Sequence, residues 1–314
     1  MSRARLTLLI QIAISVGLLV LLSVRVPLRD SVETLLRVHP LTVVSAILLS
    51  LIGYLGRARR WSALLERGGI QLTALSSYVL TLVGTGYGLL TPGRVGEFAR
   101  ALHLRNSRKD SVPSMLWDRI ADILLLELMS LPAFLLIPAW RGHLLLIYLA
   151  ITAVSIGLVL LLDRPHVLDH LARRWPKLAE PTRAWRTQSS GMLSSRAFRT
   201  GILGGLFFYC FSYLAAFLLL RDLAPTAPPL LFLALPVIPF LGNLPVAFGG
   251  LGLREHVSAI VFAQLGATAS AGPAFSLLWF ATATLVPGLI GLALSPTPWA
   301  RGQVVESSSE SPSA

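Results

Sequence analysis

Apolar residues fall along the chain in long blocks separated by short, Arg-rich polar stretches, the pattern of helices that cross a bilayer. Blocks near spanning length lie at 6–24, 41–56, 72–90, 119–138, 143–162, 200–220, 229–248 and 273–294, with a shorter one at 256–271. Arg3 and Arg5 precede the first block as they would in a signal peptide. The end of that block, Leu22-Ser23-Val24-Arg25, lacks a small-x-small cleavage site, so it reads as an uncleaved anchor.

Two blocks do not fit as plain spans. Lys and Arg concentrate in cytoplasmic loops near span ends, so Arg3 and Arg5 place the N-terminus inside, and Arg57, Arg59, Arg60 and Arg67 place the end of the second block inside too. A full crossing by 72–90 would put Arg94, Arg100, Arg105, Arg108 and Lys109 outside, and the basic loop 163–199 with them. A re-entrant hairpin repairs both loops. Gly84, Gly86, Gly88, Pro92 and Gly93 crowd its second half, where an unwound turn is needed. The block 229–248 holds Pro229, Pro236, Pro239, Gly242 and Pro245, and reads as a second re-entrant element, entering from outside.

The expectation is an all-α, polytopic integral membrane protein of about six full spans plus two re-entrant helical elements, with both termini cytoplasmic. Six arginines then lie outside: Arg25, Arg29, Arg37, Arg141, Arg221 and Arg254. Residues 1–298 form one membrane domain and 299–314 a disordered cytoplasmic tail. The halves 6–138 and 143–294 repeat the same order of elements with opposite starting sides. In each half a Gly-rich turn and a Glu (Glu97, Glu255) follow the re-entrant element, and Pro113 or Pro273 opens the last span. Inverted repeats with broken helices are a recurrent transporter plan.

Composition narrows the function. With 54% hydrophobic and 13% charged residues the chain is too apolar for a soluble enzyme, in which roughly a quarter of residues are charged. It is also too apolar for a disordered protein. The net charge of +12 sits between apolar blocks rather than on a compact polar domain, so it points to an anionic membrane surface and not to nucleic acid. The single Cys210 excludes an intramolecular disulfide framework and a Cys-based zinc site. His166 and His170 have metal-ligand spacing but no third ligand. With no Walker A, H-E-x-x-H or G-x-S-x-G motif, no metal, cofactor or catalytic residue is expected.

What remains is charge at membrane depth, which is costly enough to suggest function. Arg94 and Glu97 follow the first broken element, and Arg254 and Glu255 the second. Asp118, Arg119 and Asp122 are i,i+3 and i,i+4 neighbours on a helix and form one polar cluster, with Glu127 on another face. They read either as ion-pair glue between helices or as a headgroup site, because the planar guanidinium fork suits a lipid phosphate. Arg100 and Asn243 complete the candidate headgroup set. In the loop 163–199, Val167, Leu168, Leu171, Trp175 and Leu178 alternate with Arg173, Arg174 and Lys177, as in a basic amphipathic helix lying on the inner leaflet.

Three segments together resemble the lysylphosphatidylglycerol synthase transmembrane family, a flippase-like membrane region: Pro92-Gly93-Arg94-Val95-Gly96-Glu97 with Arg100; Asp118-Arg119 with Asp122; and Pro245-x-x-x-Gly249-Gly250-x-Gly252-x-Arg254-Glu255. The likeness covers roughly 6–294. In longer members this region is associated with moving aminoacylated phosphatidylglycerol to the outer leaflet, while a separate cytosolic domain makes the lipid. The resemblance implies a stand-alone member without the synthase domain, in a bacterial or archaeal plasma membrane, with no enzymatic activity. It would bind or translocate a phosphate-containing lipid. Arg94, Arg119 and Arg254 would hold phosphate, and Glu97, Asp118, Asp122 and Glu255 would position or neutralise them. Two alternatives stand beside it. One is a non-transporting scaffold that docks a glycosyltransferase or lipid-modifying enzyme through the basic loop. The other is a lipid-phosphate transferase holding Mg²⁺ on Asp118 and Asp122. Expected partners are membrane lipids with anionic headgroups, such an enzyme, and a second copy of the chain.

Overall fold

The computed structural model describes residues 33, 35–104, 111–164, 185, 188–242, 252–268 and 270–300, and among these the fold is all-helical. The predicted span 6–24, most of the basic loop, Asn243, Gly249, Gly250 and the tail from 301 lie outside the described residues.

Helix α1 (Pro40–Arg67) starts where the His39 ring accepts a hydrogen bond from the Leu41 amide and Pro40 sets the first helical turn. Its predicted block ended at 56, before the arginines; the helix instead continues through them to Arg67. Arg57 and Arg60 are buried and face carboxylates, so they are not the loop charges that the topology argument counted. Helix α2 (Ala74–Leu89) is capped by the Thr73 hydroxyl and passes unbroken through Gly84, Gly86 and Gly88. The expected unwound turn lies beyond them, at Leu90–Thr91, where the chain reverses into a 3₁₀ segment (Pro92–His103) packed back on α2. The glycines serve packing. A Cβ on Gly84 or Gly88 would run into the Arg100 or Glu97 side chain of the returning segment, and one on Gly86 would meet the Gly288 carbonyl.

Helix α3 (Val112–Leu136) begins earlier than the predicted 119, with Pro113 in its first turn, and so takes in Trp117 and Asp118. Helix α4 (His143–Leu162) buries only Tyr148 and Val159, leaving a nearly continuous apolar surface. After α5 (Arg196–Leu223) the second predicted broken element is two short helices, α6 (Pro229–Ala234) and α7 (Val237–Gly242), separated at Leu235–Pro236. Helix α8 (Leu253–Gln264) returns against α7, and a Cβ on Gly242 would overlap the Arg254 side chain. Helices α9 (Ala271–Phe280) and α10 (Val286–Leu294) join through a π turn into one 24-residue apolar rod.

Four described helices are long and apolar enough to cross a membrane: α1, α4, α5 and the α9–α10 rod. Helix α3 has 25 residues but carries Asp118, Arg119, Asp122 and Glu127. The longest interface joins α1 and α5, which cross where Gly56 and Gly204 each leave no room for a side chain on the other. Close backbone approach of this kind stabilises helix pairs in lipid, where apolar burial adds little. A Cβ on Gly205 of α5 would run into Leu125 and crowd the Arg60 guanidinium, and Gly201 lies against the Arg60 side chain. The crossing thereby brings the α1 arginines beside α3.

Candidate functional site

Three elements converge on an ionic network. From α1, Arg57 and Arg60 project one turn apart; from the 3₁₀ segment come Arg94, Glu97 and Arg100; from α3 come Asp118, Arg119 and Asp122. Asp118 accepts from Arg60 Nε at 2.6 Å and from Arg100 Nη2 at 2.8 Å. Asp122 accepts from Arg60 Nη1 at 2.6 Å and from the Tyr209 hydroxyl at 3.2 Å, with Arg57 Nη2 at 3.5 Å. Glu97 is shared by Arg57 at 2.9 Å, Arg94 at 3.1 Å and Arg119. Arg60 is fully buried, and the Arg100 guanidinium lies 4.1 Å from the centre of the Trp61 ring. Charges in this setting persist only when paired and hydrogen-bonded. The Asp118–Arg60–Arg100 part is therefore a lock tying α1, the 3₁₀ segment and α3 together.

Beside this lock opens a pocket of about 100 Å³ between α1, α3, α5, α7, α8 and α9. Its charged lining is Arg57, Arg94, Arg119, Asp122 and Arg254, against aromatic walls that include Tyr54, Tyr209, Tyr213 and Trp279. Several buried donors there have no hydrogen-bond partner among the described residues: Arg254 Nε and Nη2, the Tyr213 hydroxyl and Trp279 Nε1. The Arg254 guanidinium lies 4.0 Å from the Phe280 ring centre and 3.5 Å from Glu255. Arg94 is the one non-glycine with a left-handed backbone among the described residues, at φ 58°. That strain, of order 1–3 kcal/mol, is typical of positions whose side chain must be aimed.

The predicted set divides accordingly. Arg94, Arg119, Asp122 and Arg254 line the pocket, and Glu97 sits behind three of its arginines. Arg100 and Asp118 do not line it; they close the lock with Arg60. Glu255 turns to its own helix end, accepting from the Gly252 amide at 2.7 Å and from Ser276 at 3.3 Å. Asn243 lies outside the described residues. Glu127, read as facing elsewhere, does so and accepts from Ser155 of α4 at 2.6 Å. The sequence reading missed Arg57, Arg60, Tyr209, Tyr213 and Trp279. The helical spacing of Gly53, Gly56, Arg57, Arg60 and Leu64 could have revealed the first two, because it puts the arginines on the small-residue face of α1.

The sequence profile of the lysylphosphatidylglycerol synthase TM region matches residues 8–291. The chain belongs to this family. Every pocket-lining residue falls within the match, as do both predicted broken elements. The family is a transmembrane domain of lysylphosphatidylglycerol synthase-like proteins, which makes the chain an integral membrane protein and connects it with membrane lipids. A comparison with curated proteins gives no significant match.

Proposed function

We propose that the chain binds the phosphate of a lipid headgroup in the Arg57/Arg94/Arg119/Arg254 pocket and passes it between leaflets while the acyl chains stay in the bilayer. The observation that carries this reading is the set of buried groups of Arg254, Tyr213 and Trp279 that have no hydrogen-bond partner among the described residues, in a pocket lined by four guanidiniums. A phosphate offers acceptors in several directions, and arginine forks match it. The two halves act as an inverted repeat, with α1 and α5 as equivalent helices and each re-entrant hairpin supplying one arginine, Arg94 or Arg254. Both termini are cytoplasmic. The transferase alternative loses ground because Asp118 and Asp122 already share Arg60.

The test is headgroup exchange between leaflets of liposomes holding the purified chain. Wild-type protein should accelerate exchange, and Arg94→Ala and Arg254→Ala should each slow it about tenfold or more, the effect of losing one charge-assisted hydrogen bond of 1.5–3 kcal/mol. Wild-type rates in both variants would overturn the assignment.

A further inference from the structure

A second cavity, of about 330 Å³, opens at the end of the molecule where α1 finishes and α5 begins. Its α1 wall is Arg59, Ala63, Glu66 and Arg67, which recur at i, i+4, i+7 and i+8 and so share one helix face. Arg57 and Arg60 leave α1 on the other face, toward the central network, so the two sites share a helix but no lining residue. The facing wall is the start of α5, with Arg196, Ala197 and Thr200. The cavity lies one turn beyond the Gly56–Gly204 crossing on both helices.

Three guanidiniums and one carboxylate line this cavity, and three against one leaves it two charges positive. The carboxylate is engaged: Glu66 accepts from Arg59 Nη1 at 2.7 Å and from the Ser62 hydroxyl at 3.1 Å. Arg67 donates Nε to the Gln188 carbonyl at 2.8 Å and Nη2 to the Ser190 carbonyl. Neutral carbonyls fix the direction of that side chain without cancelling its charge. Arg196 stands in the first turn of α5, which contains no acidic residue. A cation there opposes the helix dipole, whereas an anion at the same place is attracted by both the dipole and the arginine. The stretch 165–187, which precedes α5, adds five basic residues against Asp169 and Glu180, so its net charge has the same sign as the cavity's.

We infer that this cavity holds the phosphate of an anionic lipid from the adjacent leaflet, at a site separate from the central pocket. The distribution of Lys and Arg assigns this end of the molecule to the cytoplasmic side. Basic pockets between membrane helices on that side bind anionic headgroups. Arg67 and Arg196 come from different helices, so a phosphate between them ties the end of α1 to the start of α5. The lipid is therefore a resident one that braces the longest helix interface, and its binding does not depend on exchange through the central pocket. A phosphate free in solution shares the recognised chemistry, so the experiment separates the two sources.

The readout is local. Thr200→Cys, in a Cys210→Ser background, puts one thiol in the cavity wall, and the full chain is placed in nanodiscs of phosphatidylcholine with or without phosphatidylglycerol. The rate of modification by a neutral maleimide then reports whether the cavity is filled. Phosphatidylglycerol should slow the reaction about tenfold, and Arg196→Gln should bring the rate back to within about threefold of that in phosphatidylcholine. Glu66→Gln, which releases Arg59, should deepen the protection. Arg254→Gln, in the central pocket, should leave it unchanged, so that failure of either site is seen without the other. Equal rates in the two kinds of disc, or protection that survives both Arg196→Gln and Arg67→Gln, would overturn the site. Protection by inorganic phosphate in phosphatidylcholine discs as strong as that by phosphatidylglycerol would make the ligand a soluble anion and overturn the lipid assignment.

Discussion

Arg60 shows how one buried cation can carry a fold. It lies between Asp118 and Asp122 at 2.6 Å from each, with its guanidinium beside Gly205 of α5. Arg60→Met would leave Asp118 to Arg100 alone and Asp122 to the Tyr209 hydroxyl and the more distant Arg57, a broken buried network costing about 3–5 kcal/mol, whereas removing a buried charge pair whole is often close to neutral. The expected outcome is a large fall in the thermal midpoint of the detergent-solubilised variant, with much of the loss recovered when Asp122→Asn is added, which leaves Asp118 paired with Arg100. No recovery would mean that Arg60 acts by volume and not by charge. Glu97 makes the opposite case. It neutralises Arg57, Arg94 and Arg119 at the pocket edge. Glu97→Gln should free these donors for a bound anion, raising retention of phosphatidylglycerol about tenfold while slowing leaflet exchange through delayed release. Weaker retention would instead make Glu97 a positioning group for the arginines.

Among the helices, glycine does less to break the chain than to let it pack. The sequence pattern located the helical blocks well, because a bilayer imposes a length and an apolarity that a single sequence displays. It misjudged what Gly84, Gly86 and Gly88 are for, since a helix-tolerated glycine at an interface and a glycine in an unwound turn look alike until the neighbouring element is in place. The same limit explains the α1 arginines. Arg57 and Arg60 resemble a cytoplasmic anchor in sequence, and only the return of the 3₁₀ segment and α3 against α1 gives them buried partners. Arg94, Arg119, Asp122 and Arg254 were legible because charge is rare in apolar blocks, while Tyr213 and Trp279 were hidden among the many aromatics of a membrane protein. At this scale Gly56→Leu should be severely destabilising. Its side chain would meet the Gly204 backbone, which cannot move aside as a side chain could, so the loss should reach at least the 1–3 kcal/mol usual for overpacking, read as a lower thermal midpoint. The hairpin reading of α2 and the 3₁₀ segment predicts that cysteines at Thr73 and Lys109, in a Cys210→Ser background, react with an impermeant maleimide from the same side of the membrane. Labelling from opposite sides would make 72–90 a full span.

Across the whole molecule, the decisive feature is that two distant stretches of chain serve one pocket. Arg94 lies on the 3₁₀ segment that returns along α2 and Arg254 on α8, yet both line the same small space, with Arg119 from α3 between them in the sequence. If the halves form two leaflet-facing sites used in turn, each arginine holds the headgroup at a different moment and their losses multiply. If they grip one phosphate together, the first loss already breaks the chelate and the second adds little. The shared lining favours the second case. Residues that contact one ligand commonly show interaction energies of 0.5–3 kcal/mol. In a double-mutant cycle on phosphatidylglycerol retention, Arg94→Gln and Arg254→Gln should each cost about tenfold, and the double variant should cost well under the hundredfold that independent sites would give. A full multiplicative loss would separate the two arginines into different binding events and would require the pocket to be rebuilt as two half-sites that alternate across the bilayer.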